Sequence, residues 1–251
     1  MRLTVLGSSG THPGPDRLCS SYLVTHEGFQ LLMDCGNGSL SNLQRVTNVS
    51  ALDAVLISHL HPDHFVDLYG LYYALRFHPD GPQRVPLYAP AGAHEFVTRL
   101  LSGESAATFA RHLPATVLAP GDRISLGPLQ VRLFGAEHTI ATLAPRVEAG
   151  GRVLAYSGDS GRTPALIDCA RDADLFVCDS SWLERDRPHP EGVHMTGAEA
   201  GRTAQEAGAG RLLLTHIHPR NDPEDTLAEA SSVYHGSIMV AHDLDVVELG
   251  S

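Results

Sequence analysis

Three histidines and an aspartate lie within six residues, in the stretch Ser58-His59-Leu60-His61-Pro62-Asp63-His64. The stretch directly follows the apolar run 54–57, so it is predicted to be a tight loop at the end of a strand. Imidazole nitrogen combined with carboxylate oxygen suits Zn²⁺, and also Fe or Mn. His59 and His61 can face one ion while Asp63 and His64 face a second. The alternative, a polar loop that happens to be rich in histidine, explains a single histidine better than it explains this spacing.

Further along the chain, apolar runs repeatedly end in a polar residue that can bind metal. Asp34 follows one such run, and a carboxylate in that position is costly to bury unless it is paired. Because neighbouring strands tend to present their ends at one edge of a sheet, we expect these groups to converge there. They are Asp34, His59, His61, His138, Asp159 and His216.

The elements that must position these residues are predicted strands and helices that alternate in both halves of the chain. This order favours an α/β fold, with two sheets in a pseudo-symmetric sandwich and helices outside. No linker or low-complexity segment divides the chain, so residues 1–251 are predicted to form a single domain. Helices are predicted over residues 38–46, 65–77, 91–101, 164–171, 196–207 and 223–234, the fifth beginning with a capping box.

The charge balance argues against broad binding to nucleic acid. The net charge is −11, and the 18 basic residues are all arginine. Non-specific binding to nucleic acid needs a basic surface, which this composition does not supply. Two divalent ions would still add four positive charges locally, so a metal pocket could attract an anion.

Cysteine usage and the N-terminal sequence point to a cytoplasmic protein. The four cysteines, at positions 19, 35, 169 and 178, show no C-x-x-C spacing, which favours buried or free thiols over a disulfide framework. The first residues enter a strand at once, without the pattern of a signal peptide. No apolar run approaches the ~20 residues that would span a bilayer.

The complete ordered set of these residues resembles the motifs of the metallo-β-lactamase fold over nearly the whole chain. That resemblance implies a four-layer αββα sandwich and two divalent metal ions, Zn²⁺ first, with Mn²⁺ or Fe as alternatives. It implies that one ion is bound by His59, His61 and His138. The second ion is then bound by Asp63, His64 and His216, and Asp159 bridges both ions. Asp34 is implied to orient a ligand without binding metal itself.

Within that family, the chain looks most like the ribonuclease Z-like branch. His194-Met195-Thr196, at the mouth of a helix, matches the extra histidine of the branch, which lies near the substrate phosphate. Enzymes that process tRNA 3′ ends carry a long arm after the third motif, but here only about twenty residues separate His138 from Asp159. They also carry a basic loop after the first strand, whereas residues 11–17 contain one arginine.

Other stretches resemble an actinobacterial group that includes atypical class II-like cyclic-nucleotide phosphodiesterases. They include Arg76-Phe77-His78-Pro79 and Asp179-Ser180-Ser181-Trp182. The resulting hypothesis is that a hydroxide bridging two metal ions attacks a small phosphodiester, with 3′,5′-cyclic AMP as the first candidate. Asp63 or Asp159 would orient the nucleophile or take its proton, and His194 would stabilise or protonate the leaving oxygen.

Three alternatives remain open. The same site could cut tRNA precursors, or it could hydrolyse a lactam or a thioester. A non-catalytic zinc module fits poorly, because structural zinc sites are closed and often contain cysteine. Trp182 is expected to be a packing residue more than a stacking platform for a base, and nothing requires His218 to approach the site. The expected partner is a small phosphodiester or nucleotide, with tRNA less favoured and no membrane; similar proteins are frequently homodimers.

Overall fold

Two seven-stranded sheets face each other in the computed structural model, which describes residues 1–250. The first sheet has the order β14-β1-β2-β3-β4-β5-β6, and the second has the order β13-β12-β11-β10-β9-β8-β7. The strands are β1 (Arg2–Gly7), β2 (Ser21–His26), β3 (Phe29–Met33), β4 (Ala54–Leu56), β5 (Leu87–Ala89), β6 (Ala115–Val117), β7 (Arg123–Leu126), β8 (Leu129–Gly135), β9 (Leu143–Ala149), β10 (Arg152–Tyr156), β11 (Leu175–Asp179), β12 (Arg211–Thr215), β13 (Ser237–Val240) and β14 (Val246–Glu248).

Helices cover the outer face of each sheet. The outer layer of the first sheet contains α1 (Ser39–Val46), α2 (Pro62–Phe65), α3 (Leu68–Arg76), α4 (Ala93–Thr98) and α5 (Gly103–His112). The outer layer of the second contains α6 (Pro164–Ala170), α7 (Gly197–Ala207) and α8 (Pro223–Ser231). The predicted four-layer αββα sandwich is therefore confirmed. Among the described residues, no helix is both long enough and apolar enough to cross a membrane.

The two sheets share one pairing pattern, which confirms the predicted pseudo-symmetry. In each sheet, three antiparallel pairings are followed by three parallel ones. The inner parallel strands β4, β11 and β12 are buried along nearly their whole length and are largely continuous apolar runs. Polar residues that follow β3, β4, β10 and β12 are consequently delivered to one edge of the sandwich.

The main core lies between the sheets and reaches that edge. Leu3 and Tyr22 of the first sheet belong to the same buried cluster as Tyr156 and Leu213 of the second. The rings of Tyr22 and Tyr156 lie 4.9 Å apart, centroid to centroid. Packing across the sheets therefore fixes the strand ends relative to each other, which a site built from both sheets requires.

The helix predicted over residues 65–77 is wrong in its bounds. The chain forms the one-turn helix α2 and then α3, separated by residues 66–67. Pro62 begins α2, because proline fits the first position of a helix, where its missing N–H is not needed. Asp63 and His64 thus lie on this turn of helix and not in the tight loop that was expected.

Residues 103–117 contain α5 and β6, although no element was predicted there. The buried face of α5 consists of Ser105, Phe109 and His112. Two of these three side chains are polar, so the apolar period of a helix is absent from the sequence. Tertiary packing, and not local pattern, determines this segment.

Candidate metal centre

The structure gathers all seven predicted metal ligands at one edge of the sandwich, in two overlapping sets. The ligand atoms of each set lie within 4.8 Å of one another. The first set is His59, His61, His138 and Asp159, and the second set is Asp63, His64, Asp159 and His216.

In the first set, the outer nitrogens of His59 and His138 each have an acceptor to donate to. His59 Nδ1 donates to Ser58 Oγ over 3.0 Å, and His138 Nδ1 donates to the carbonyl of Val193 over 2.8 Å. These bonds place the proton on Nδ1 and leave the Nε2 lone pair directed inward. His61 is reversed, since its Nδ1 lies 3.0 Å from His138 Nε2.

The second set is arranged in the same way. His64 Nδ1 donates to Asp34 Oδ2 over 2.8 Å, and His216 Nδ1 donates to Ser181 Oγ over 2.7 Å. The two inner nitrogens, His64 Nε2 and His216 Nε2, are then only 3.2 Å apart. Two lone pairs at that distance repel each other unless a proton or a metal cation lies between them.

Asp159 connects the two sets. One of its oxygens, Oδ2, lies 3.6 Å from His59 Nε2 and 3.3 Å from His216 Nε2. The other, Oδ1, lies 3.1 Å from His64 Nε2. The side chain is 3% exposed, so its carboxylate sits between imidazoles of both sets and is shielded from water.

These residues fit divalent metal ions. Within residues 1–250, His59 Nε2 and Asp159 Oδ1 are buried and lack any hydrogen-bond partner. Such atoms are rare in folded proteins unless an ion or water completes them. Two nitrogen ligands of one tetrahedral zinc ion lie about 3.3 Å apart, given Zn–N bonds of about 2.05 Å. The inner nitrogen pairs are 3.0 and 3.2 Å apart, which agrees with that spacing.

The buried aspartates and histidines of the centre favour opposite charges on each other. Burial alone would raise the pKa of Asp159, but His216 and His64 outweigh burial and hold that pKa well below its usual value. Burial opposes protonation of His216, yet Asp159 and hydrogen bonds to Asp179 and Asp63 raise its pKa to about 10. The carboxylates therefore favour positive charge at the position where a cation would bind.

Asp34 lies behind the second set, as predicted. It is fully buried at the end of β3, and its Oδ2 accepts hydrogen bonds from His64 Nδ1 and from the Tyr156 hydroxyl, each 2.8 Å long. Ser58 donates to it through both its backbone N–H and its hydroxyl. Since Ser58 also accepts from His59, one carboxylate orients an imidazole of each set.

Strained and crowded backbone supports this arrangement. Asp34 and His216 have φ values of +57° and +55°, in the left-handed region that non-glycine residues seldom occupy. A Cβ on Gly36 would lie 2.0 Å from the carbonyl oxygen of Asp63, so only glycine fits beside α2. The strain lies at the candidate site, where the surrounding hydrogen bonds offset it.

His194 lies at the mouth of the centre and is held by Asp179, for which no role at the site was predicted from the sequence. His194 Nδ1 donates to Asp179 Oδ2 over 2.7 Å and lies 3.9 Å from Asp159 Oδ2. Burial opposes protonation of His194, but the charge of Asp179 and its hydrogen bond outweigh burial and raise the pKa. The hydrogen bond to Asp179 turns the free Nε2 of His194 away from that carboxylate.

Comparison with known proteins identifies the family. A family model described as the beta-lactamase superfamily domain matches residues 30–217. The chain belongs to this superfamily. The match begins in β3 and ends one residue after His216, so it contains every predicted metal ligand. The superfamily places the protein among metal-dependent hydrolases, and the cluster of histidine and aspartate agrees with divalent metal binding.

The superfamily relatives include proteins of similar length. The Mycobacterium tuberculosis protein Rv1339 is 35% identical over 243 residues, which cover 95% of this chain and 88% of that protein. The probable metallo-hydrolase YhfI of Bacillus subtilis is 31% identical over 244 residues, 96% of this chain and 97% of YhfI. The crystal structure of YhfI matches with a TM-score of 0.88 at 30% identity, covering 98% of this chain and 99% of that chain.

A ribonuclease Z is also among the relatives, which confirms the predicted kinship with that branch. The enzyme of Methanosarcina acetivorans is 29% identical over 302 aligned positions, covering 99% of this chain and 98% of that protein. Because the present chain has only 251 residues, the relative contains segments that this chain lacks. YhfI contains no such added segments, since its alignment spans 244 residues and covers nearly all of both chains.

Trp182 and His218, two further residues considered in the sequence, each pack against a histidine ring. Trp182 is half-buried and stacks on His189, with ring centroids 4.5 Å apart and planes 21° apart, so its packing role has a structural basis. His218 packs edge-on against His12 at 5.5 Å. The signal for Asp179 was present in the sequence, since it ends an apolar strand as the other site residues do.

Proposed function

We propose that this protein is a dinuclear metallophosphodiesterase that hydrolyses a small phosphodiester, with 3′,5′-cyclic AMP as the first candidate substrate. The observation that carries the proposal is the position of Asp159. Its carboxylate contacts imidazoles of both ligand sets and also lies 3.9 Å from His194. A shared carboxylate suits a pair of ions, and a histidine beside the pair suits a reaction that needs a proton donor.

The first set would hold one ion and the second set would hold the other, with Asp159 common to both. Two divalent ions there would lower the pKa of bound water and offset negative charge on a phosphoryl group. Asp34 and Ser58 keep the imidazoles in the tautomers that such binding requires. Zn²⁺ is the first candidate, and Mn²⁺ and Fe fit the same donor atoms.

The residues of the chain would share the proton transfers. Asp63, 11% exposed against 3% for Asp159, orients the attacking water and takes its proton. The water oxygen forms a bond to phosphorus and the bond from phosphorus to O3′ breaks. His194 gives the departing O3′ a proton from Nε2 while Asp179 holds its Nδ1. The product would be 5′-AMP.

The path of the chain near the site supports a small substrate. His138 and Asp159 are connected by the short hairpin of β9 and β10, which turns at Gly150 and Gly151. The arm that tRNA-processing enzymes carry at this point is therefore replaced by a tight turn. The one arginine of the loop 11–17, Arg17, is half-buried near Asp243 and Asp222, and burial lowers its pKa. Both aspartates act on this charge from within the chain.

A second candidate function is cleavage at the 3′ end of tRNA precursors. The specific observation in its favour is the relationship to ribonuclease Z along the full length of both chains. The bond to be broken is again a phosphodiester, so the same ligand sets and the same proton donor would serve. The two functions differ in what holds the substrate outside the centre.

One experiment separates the two functions. The metal-loaded protein is incubated with cyclic AMP and, separately, with a precursor tRNA, and the products are resolved. The His64→Ala variant is the negative control. The His235→Ala variant is the matched control, because His235 is exposed and lies in the segment between α8 and β13.

Release of AMP with intact tRNA, lost in His64→Ala and kept in His235→Ala, is the expected result. Cleavage at the tRNA 3′ end with cyclic AMP untouched would favour the second candidate. If neither is cut by the fully metal-loaded protein, the phosphodiesterase proposal is wrong, and lactam and thioester substrates become the next ones to assay.

A further inference from the structure

A cavity of about 340 Å³ opens beside His194, next to the metal centre. Its volume falls within the range of pockets that bind small molecules. Its lining comes mainly from the loop between β11 and α7, together with residues just after β8 and β10. The lining includes Glu137, Arg162, Trp182, Arg187 and His189.

One wall of this cavity is aromatic. Trp182 and His189 stack with their ring centroids 4.5 Å apart, and His189 Nε2 donates to the carbonyl of Leu183 over 2.7 Å. His194 meets Trp182 edge-on at 5.2 Å. The wall is therefore continuous with the proton donor of the proposed reaction, and its flat rings suit contact with another flat ring.

The charges of the cavity are unsuited to a phosphate. Its two arginines are already paired, Arg162 with Glu206 at 2.5 Å and Arg187 with Glu184 and Glu199 at 2.7 Å each. Within residues 1–250, the carboxylate of Glu137, an exposed residue at the rim of the cavity, has no hydrogen-bond or ion-pair partner. The available groups therefore accept hydrogen bonds, and they repel anions.

Glu137 is held at a fixed place in this wall. Its backbone N–H donates to Ser160 Oγ over 2.9 Å, and its carbonyl accepts from the N–H of Gly161 over 2.9 Å. Its carboxylate lies over Gly192, where an added Cβ would be 2.6 Å from Oε1. The absence of a side chain at Gly192 thus leaves room for this carboxylate at the cavity.

We propose that this cavity binds the nucleobase of the substrate, and that Glu137 accepts a hydrogen bond from an exocyclic amino group of the base. This inference rests on the proposed function, because the phosphodiester that the metal centre would cleave and the base that the cavity would bind are two ends of one substrate. The anionic phosphodiester belongs at the metal ligands, and the neutral, donor-bearing ring belongs against Trp182 and His189. The substrate class is accordingly a cyclic nucleotide with an amino-bearing base, such as adenine.

The first test measures binding without catalysis. Adenosine, which has no phosphate, and purine riboside, which also lacks the 6-amino group, are titrated into the protein. Trp182 is the sole tryptophan and lines the cavity, so its fluorescence reports occupancy. We expect saturable quenching by adenosine, with about tenfold weaker binding of purine riboside, because a hydrogen bond to a charged acceptor is lost.

The Glu137→Gln variant should lose that discrimination, and Glu95→Gln, at an exposed glutamate of α4, is its matched control. Absence of saturable quenching in the wild type would overturn the inference. Equal discrimination in Glu137→Gln and the wild type would overturn it as well.

The second test uses hydrolysis and separates the two proposals. The kcat/KM for cyclic AMP is divided by the kcat/KM for its 6-deamino analogue. Both are measured on one preparation, so that any loss of active or metal-loaded enzyme cancels in the ratio. A ratio near ten in the wild type and near one in Glu137→Gln supports the cavity assignment. If cyclic AMP is cleaved with a wild-type ratio near one, the cavity assignment fails while the function stands. If adenosine binds as expected but no cyclic nucleotide is cleaved, the function fails while the cavity assignment stands.

Discussion

At the scale of single residues, Asp179 contacts both the proposed proton donor, His194, and a proposed metal ligand, His216. It is fully buried at the end of β11, where it accepts a hydrogen bond from His194 and lies 3.5 Å from His216 Nδ1. Ser181 Oγ connects Asp179 to His216 through bonds of 2.7 Å each. One carboxylate thus orients the proposed proton donor and a proposed metal ligand.

The Asp179→Asn variant should lower kcat by about 10- to 100-fold, the usual effect of removing a carboxylate that orients a ligand. Asparagine keeps the shape but removes the negative charge that fixes the His194 and His216 tautomers. Steady-state rates on the substrate that the wild type cleaves measure the effect. Asp168→Asn, at an exposed aspartate of α6, is the matched control. A turnover number for Asp179→Asn within twofold of that control would contradict the assignment.

Residue types and spacing singled out four of the seven proposed metal ligands, because H-x-H-x-D-H after a strand is a dense and rare pattern. The other three, His138, Asp159 and His216, were predicted from polar strand ends and from the family resemblance. They did not predict Ser58, Ser181 or Tyr156 as hydrogen-bond partners of the site. Those side chains come from both sheets, and only the folded chain brings them together. Spacing along the sequence contains no information about such pairs.

At the scale of elements, helix α7 connects stability to the site. Thr196 Oγ1 accepts from the N–H of Glu199, and the Glu199 carboxylate accepts from the N–H of Thr196, which confirms the predicted capping box. Trp182 donates its backbone N–H to the carbonyl of Met195, between Thr196 and His194. The start of this helix therefore fixes the segment that presents His194.

The Thr196→Ala variant should destabilise the protein by about 1 kcal/mol, the usual value for loss of an N-cap. It should also reduce turnover severalfold, because His194 loses its anchored neighbour, and Thr196→Ser should restore both properties. Urea unfolding and steady-state kinetics provide the two measurements. Ser102→Ala, which removes the cap of α5 in the opposite helical layer, is the control. The idea fails if both alanine variants have the same turnover.

At the scale of the whole molecule, the pairing pattern of the two sheets explains why one edge collects the polar strand ends. The alternation of apolar runs with polar ends predicted this convergence without any knowledge of the topology. Sequence pattern failed at α5, whose buried face includes Ser105 and His112. It also failed before α3, where Pro62 begins the separate one-turn helix α2.

The four thiols test the packing of the whole molecule. All four cysteines are buried, and burial raises the pKa of Cys19 and of Cys169 to about 12. Because the thiolate is the reactive form, a thiol reagent at pH 8 should label the native protein far more slowly than the urea-unfolded protein. Quantitative thiol titration of both states measures this difference. Rapid labelling of even one thiol in the native state would contradict the described packing.

The central claim is that two overlapping ligand sets hold two metal ions, and elemental analysis of the purified protein tests it most directly. We predict two equivalents of divalent metal per wild-type chain and about one in each of His138→Ala and His216→Ala, since each removes a ligand of one set only. His235→Ala should retain two. A wild-type protein that binds a single equivalent at saturating metal, or variants that both retain two, would contradict the account.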